Sequence, residues 1–512
     1  MTRTAHSFSL ADLVREQART LPGLPALVDT AGTLTYGEID ELSGVLADRL
    51  RAAGLPPGGR VVWFGPDDRR YVVALFAVAR AGGSMLPLNW RCTAAELAGH
   101  LSQARPDVVL TAHHDRAETA LPPTSAPVID LDAAGEPGPG ETQPATRPAT
   151  APAPVEPVVD DEEPVIEFFT AAFSGRSRIA GVPHRAIVTQ SLVMGALGEV
   201  DAREEVYLAS GPMFHMGVLL KLLANYLFGN PVVIAGTGDP EELCRLVEEH
   251  RVTSAYLFKP TLQRIVELNA DKTFDLSSLR MIPDVPPDAV AEQWYAMTSC
   301  PRRDPSWVMG YGQTETWGMV ALTARGPATE ARFGRPSPVA VVRVLDRAGE
   351  EARPGEPGEI TVRGPQLMTG YDAGWLDAEE HRTGDVGIRR ADGGLDFLGP
   401  MRALIKSGME NVYPAEVEAV LLEHPAVTAA CVVGVPDPVW GERVCAALVT
   451  APGHTLDEAE AVAHVRGRIA SYKKPREVRI VASLPIGAAG VDRDAVRRLF
   501  ETHEENPADA PR

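Results

Sequence analysis

Along the first third of the chain, apolar residues recur with two periods in alternation. Within 11–21, Leu13, Val14 and Ala18 share one face at helical spacing, which predicts an amphipathic helix. Arg60-Val61-Val62-Trp63-Phe64 is a short apolar run closed by Gly65-Pro66, the pattern of a buried strand. Residues 71–81 are apolar enough for a covered helix. Thr93-Ala94-Ala95-Glu96 sets a hydroxyl three positions before a carboxylate, a capping box that opens another helix. Residues 107–111 return to strand. Strand and helix alternating in this way build parallel sheets with crossover helices.

The pattern breaks over 133–164, where Pro, Ala, Glu and Thr crowd together without apolar periodicity, and a flexible loop is expected. It resumes with strands predicted over 206–209, 231–235, 254–258 and 306–309, and helices over 218–228 and 240–250. Short β-segments with turns at 346–349 and 354–355 predict an antiparallel subdomain over 339–364. Gly399-Pro400 marks a hinge, since glycine frees φ and proline fixes it. Beyond it Pro414 suits the first turn of a helix whose Val417, Val420 and Leu421 share a face. The predicted fold is therefore α/β. A large N-terminal domain over 1–398 has parallel-type sheets flanked by helices plus a β-subdomain. A small, mobile α+β domain follows over 399–500, and 501–512 form a disordered polar tail.

Two domains also suit the length, 512 residues being too many for one core. The net charge of −20 argues against nucleic acid as a partner. Five scattered cysteines, with no Cys-x-x-Cys, suggest neither a zinc site nor a redox pair and fit a reducing cytoplasm. No signal-peptide core and no run of about 18 apolar residues is found, so membrane insertion is not expected. A homodimer is left open.

Candidate chemistry centres on Tyr311-Gly312-Gln313-Thr314-Glu315. This stretch resembles the Tyr-Gly-x-Thr-Glu signature of the adenylate-forming superfamily, which holds acyl-CoA synthetases, luciferases and adenylation domains. Leu34-Thr35-Tyr36-Gly37-Glu38, Ala81-Gly82-Gly83 with Pro87-Leu88-Asn89, Pro212-Met213-Phe214-His215-Met216-Gly217 and Thr383-Gly384-Asp385 resemble further family elements, in the family's order and spacing. The resemblance implies ATP and Mg²⁺. Tyr311 would stack on adenine beside Gly312 and Gln313. Asp385 would accept the ribose hydroxyls and Thr314 would donate to phosphate. Glu315 would offer Mg²⁺ the hard carboxylate oxygen it prefers. The adenine-flanking segment falls at Pro283-Asp284-Val285, with Asp284 as the candidate.

Other motifs depart from the family. Its glycine- and hydroxyl-rich phosphate loop is here Thr170-Ala171-Ala172-Phe173-Ser174-Gly175-Arg176-Ser177-Arg178-Ile179. Thr170, Ser174 and Gly175 survive, and Arg178 replaces the lysine, keeping its charge but not its geometry. The hinge arginine is Pro400, with Arg402 as a partial substitute. In Pro485-Ile486-Gly487-Ala488-Ala489-Gly490-Val491, valine stands where the family has its adenylation lysine. A cation aimed at the developing pentavalent phosphate is worth about 3–4 kcal/mol, by analogy with one oxyanion-hole donor. Its loss would slow the step by about 10²–10³-fold unless replaced. Arg493 is two residues away but reads more simply as a surface charge. Lys406, which the resemblance places facing the site after the small domain rotates, is the better substitute.

The Pro212–Gly217 element leads into a helix that borders the acyl pocket in the family. Here that helix carries Lys221 and Asn225, spaced i, i+4 on one face. With His215 and Lys259 they are the candidate substrate contacts, suited to a small or anionic substrate. The resemblance implies an ATP/Mg²⁺-dependent ligase that activates a small acid as its AMP anhydride and transfers it to a nucleophile. CoA is one acceptor, against which stands Met409, where a second glycine would leave room for the pantetheine arm. Two alternatives fit the altered phosphate motifs: a diazotase that activates nitrite for an aromatic amine, and a non-catalytic nucleotide- or acyl-adenylate-binding protein.

Overall fold

The structure is a computed structural model that describes residues 8–113, 119–133, 160–170, 178–201, 204–304, 307–324, 329–346, 348–372, 374, 376, 380–401, 405–408, 410–451, 453–487 and 490–501. Most of the loop expected over 133–164, and the tail after Glu501, lie outside them.

The larger domain has two antiparallel sheets, of three strands between Gly310 and Pro336 and of four between Val341 and Pro400, beside the two mainly parallel sheets on which it is built. Of the latter, one has seven strands in the order Gly370–Tyr371, Arg178–Pro183, Pro164–Thr170, Ser84–Pro87, Arg60–Phe64, Val108–Thr111 and Val128–Asp130. Its pairings are parallel from Pro164–Thr170 onward, while the two strands at the other end are antiparallel. The other has five strands in the order Ser254–Ala255, Tyr207–Ala209, Val232–Ile234, Pro25–Asp29 and Gly32–Thr35, with only the last pair antiparallel. The parallel sheets read from the sequence thus carry antiparallel edges.

The helix Arg69–Ala81 is buried along nearly its whole length, packed between these layers and the helices Leu10–Thr20 and Tyr36–Ala52. That is why its sequence is apolar on all sides. The Thr93–Glu96 capping box forms as expected and opens the helix Ala94–Ala104. Among the described residues no helix is long and apolar enough to cross a membrane.

Two expectations shift. The strand placed at 306–309 lies instead at Gly310–Gln313, because its main chain pairs closely with Gly318–Leu322. A Cβ at Gly312 would sit 1.9 Å from the Gly318 carbonyl oxygen, so only a residue without a side chain permits this pairing. The boundary expected at Gly399 falls inside the strand Leu395–Pro400, whose Pro400 pairs with Asp385. The small domain's sheet begins at Ile405–Ser407. It continues through Glu410–Val412, Gly441–Thr450, Val427–Asp437 and Glu477–Ile480, against the helices Pro414–Leu422, Glu458–Arg466 and Arg493–Glu501.

Candidate active site

Tyr311 and Asp385 come from different strands and meet side by side. The Tyr311 hydroxyl donates to Asp385 Oδ2 at 2.7 Å, and Gln313 Nε2 reaches the same oxygen and the Thr383 carbonyl at 3.3 Å each. His381 Nε2 lies 3.0 Å from Gln313 Oε1. Since the Gln313 amide group is already donating, His381 is best placed as the donor. Burial holds its pKa down, at about 4, so it is neutral at pH 7. Burial also raises the Asp385 carboxyl above its ordinary value, against the opposing pull of Tyr311, Lys406 and Gln313. The Tyr311 ring stacks on Phe397, centroids 5.3 Å apart. The result is an aromatic platform beside a half-enclosed acceptor, which suits a nucleoside.

Glu315 is 7% exposed and follows directly on this strand. Its Oε1 accepts the Tyr371 hydroxyl at 2.8 Å, and its carbonyl accepts Met368 N–H at 2.9 Å. Among the described residues no cation pairs with it, and burial pushes its pKa up. A desolvated carboxylate with a spare oxygen, next to the half-buried Thr314, fits Mg²⁺ well. Arg178 lies over the Tyr371 ring, 3.4 Å from its centroid. Thr170 sits opposite Arg178 in the strand pair that flanks the phosphate loop. Ser174, Gly175 and Arg402 lie outside the described residues.

The small domain turns Lys406 toward this group, with Nζ 5.6 Å from the Phe397 centroid. Its neighbour Glu410, 8% exposed, pairs with Arg91 and lies 3.2 Å from His215 Nε2. Burial works to raise the Glu410 pKa, but His215 and Arg91 outweigh it and hold the carboxyl below its ordinary value. A second junction joins Lys473 to Glu96 at 3.0 Å and to Glu416 at 2.7 Å. Val491, by contrast, is 40% exposed in a two-strand hairpin. Arg493 is locked within the small domain by Glu418 and the Val432 carbonyl, each at 2.7 Å, so it does not fold back to replace the missing lysine.

The expected substrate contacts separate. His215 faces the domain junction. Lys221 and Asn225 do share a face, but it is a buried one. Lys221 lies 3.2 Å from Glu205 and 2.5 Å from Ser254 Oγ, and Asn225 donates to the Lys221 carbonyl. Their charges and amides are satisfied internally, which corrects the reading of them as substrate contacts. Lys259 is exposed at the start of the helix Lys259–Leu268, where its N–H donates to Asp284. Asp284 also accepts the Val285 N–H.

Sequence reasoning passed over Phe397, His381 and Glu410, and also Tyr371 and Asp67. Tyr371 has no local signal, since its partner Glu315 is remote in sequence. Asp67 lines a cleft with Trp90, Arg91, Ser210, Tyr256 and Phe258. It accepts Met213 N–H at 2.9 Å, and burial raises its pKa to about 6.

The sequence matches the family model described as AMP-binding enzyme over residues 14–372 and the AMP-binding enzyme C-terminal domain over residues 416–490. It is 32% identical to a feruloyl-CoA synthase of Amycolatopsis sp, covering 94% of this chain and 97% of that protein. An indoleacetate–CoA ligase of Aromatoleum aromaticum is 30% identical over 96% of this chain and 98% of its own. Among solved structures, the amide bond synthetase McbA from Marinactinospora thermotolerans superposes with a TM-score of 0.78 at 26% identity, over 96% of this chain and 100% of that one.

Proposed function

Because the chain belongs to the AMP-binding enzyme family, and is an ATP-dependent ligase of the acyl-CoA synthetase type, we propose that it joins a small carboxylic acid to a thiol with Lys406 as its adenylation cation. The carboxylate attacks the α-phosphorus of ATP and pyrophosphate leaves. A nucleophile then attacks the acyl carbon, AMP leaves and the nucleophile's proton passes to solvent. Tyr311 and Phe397 form the base platform and Asp385 grips the ribose. Glu315 would hold Mg²⁺, which when bound would screen the phosphate charge, and Thr314 would donate to phosphate. Lys406 offsets charge on the α-phosphate from the domain orientation observed, since Val491 brings none.

The observation that carries this reading is the convergence of Tyr311, Gln313 and Asp385, with Lys406 from the other domain set over the Phe397 ring that stacks on Tyr311. The relatives' names point to acids, and to aromatic ones first; nothing among them favours nitrite over a carboxylate. CoA is the first acceptor to try. Incubation with ATP, CoA and ferulate, indoleacetate or 2-succinylbenzoate should yield acid-dependent AMP and pyrophosphate. ATP binding with no AMP from any acid would overturn the catalytic reading and leave the protein a nucleotide binder.

A further inference from the structure

The side chain with the most to explain is Tyr371, which touches the two groups expected to meet the ends of a metal-bound triphosphate. Its hydroxyl donates to Glu315 Oε1 at 2.8 Å, and its ring face carries the Arg178 guanidinium at 3.4 Å. The sheet dictates the juxtaposition. Tyr371 pairs with Ala180 on the edge of the seven-stranded sheet, and Arg178, two residues before Ala180, projects from the same face. Diagonal neighbours on one face are within reach of long and aromatic side chains.

The surroundings fix this arrangement from several sides. A Cβ on Gly370 would lie 1.9 Å from the Gly374 carbonyl oxygen, so the segment enters through a turn with no room for a side chain. Asp372, the next residue, has φ of 53°, a left-handed conformation that non-glycine residues avoid. Held there, it accepts Ile179 N–H and Gln103 Nε2 at 3.2 Å each, with its other oxygen 3.8 Å from Arg178 Nε. The strained residue therefore brackets the guanidinium that Tyr371 supports. Arg178 nonetheless keeps about half of its side chain exposed, at 51%. Its charge is steered, not buried. Glu315 is the reverse: buried, and with a phenol where an isolated carboxylate would need a cation.

We propose that Tyr371 is a positioning residue which sets both the metal-binding carboxylate of Glu315 and the phosphate-binding guanidinium of Arg178. The proposal rests on the reading of Glu315 and Arg178 as the Mg²⁺ and phosphate groups of an ATP site. The hydroxyl fixes one carboxylate oxygen and leaves the other to the metal. The ring face restricts the guanidinium, so that less freedom is lost when phosphate arrives. The two halves of the residue thus do separable work.

Calorimetric titration of the full chain with ATP, with and without Mg²⁺, tests this without any acid substrate. Tyr371→Phe keeps the ring and drops the hydroxyl. It should lose about tenfold of the Mg²⁺-dependent gain in ATP affinity, the scale of one hydrogen bond to a charged group. Its Mg²⁺-free affinity should stay within about twofold. Tyr371→Leu should weaken Mg²⁺-free binding as well, and Arg178→Ala in the Tyr371→Leu background should add little. A Tyr371→Phe protein whose Mg²⁺ gain equals that of the natural chain would overturn the proposal, since a merely structural tyrosine would not affect that increment selectively. If the natural chain fails to bind ATP at all, the reading of the site falls first and the proposal with it.

Discussion

Lys406 carries its ammonium to within 5.6 Å of the Phe397 ring centroid, and that ring is the one stacked on Tyr311. A charge from the small domain is thereby set over the floor of the nucleoside site in the large one. The residue at the family's usual lysine position, Val491, shows an apolar side chain to solvent, and the nearby Arg493 is committed to Glu418.

The orientation that brings Lys406 in is held at Glu410. Its carboxylate is nearly buried against Arg91 and close to His215, both on the large domain. Glu410→Gln keeps the shape and removes the charge, leaving Arg91 without its partner. Small-angle X-ray scattering of this variant should show a broader distribution of domain separations than the natural chain, and the difference should persist at high salt, where an exposed surface pair would be screened. An identical scattering profile would mean that Glu410 does not hold the orientation.

Lys221 should prove structural. It is buried with Glu205 and Ser254, and removing one member of such a pair strands the other charge. Lys221→Met is expected to cost about 3–5 kcal/mol in urea unfolding, and adding Glu205→Gln should recover much of it. ATP affinity in the folded variant should be unchanged.

How far this was legible in the sequence depends on how local each interaction is. The Thr93–Glu96 cap and the strand Arg60–Phe64 needed only neighbouring residues and appear where the pattern put them. The face shared by Lys221 and Asn225 was also legible, because helical spacing fixes it. Whether that face met substrate or Glu205 was not, since Glu205 lies on a separate segment. The strand lies at Gly310–Gln313 and not at 306–309 because its place is set by the close pairing of Gly312 with Gly318, a contact between separate strands. Tyr371 and Asp67 carry no periodic or motif signal, and their roles depend on contacts that cross the fold.

Asp67 predicts a pH dependence. Its folded pKa of about 6 lies above the ordinary 3.8, so the folded state holds a proton that the unfolded chain releases. Its contribution to stability is full below about pH 3.8 and declines as pH rises towards 6, by up to about 1.4 kcal/mol per unit within that window. Asp67→Asn cannot titrate and can still accept Met213 N–H. The melting temperature of the variant, relative to the natural chain, should therefore rise between pH 4.5 and 6.5 and then level off. A difference independent of pH would refute the assignment.

The most direct test of the account is pyrophosphate release by Lys406→Ala, with ATP and whichever acid the natural chain accepts. If Lys406 is the adenylation cation, the rate should fall by about 10²–10³-fold while ATP affinity changes little. Placing a lysine back through Val491→Lys should restore part of it. An unchanged rate in Lys406→Ala would contradict the claim that Lys406 replaces the lysine missing at Val491.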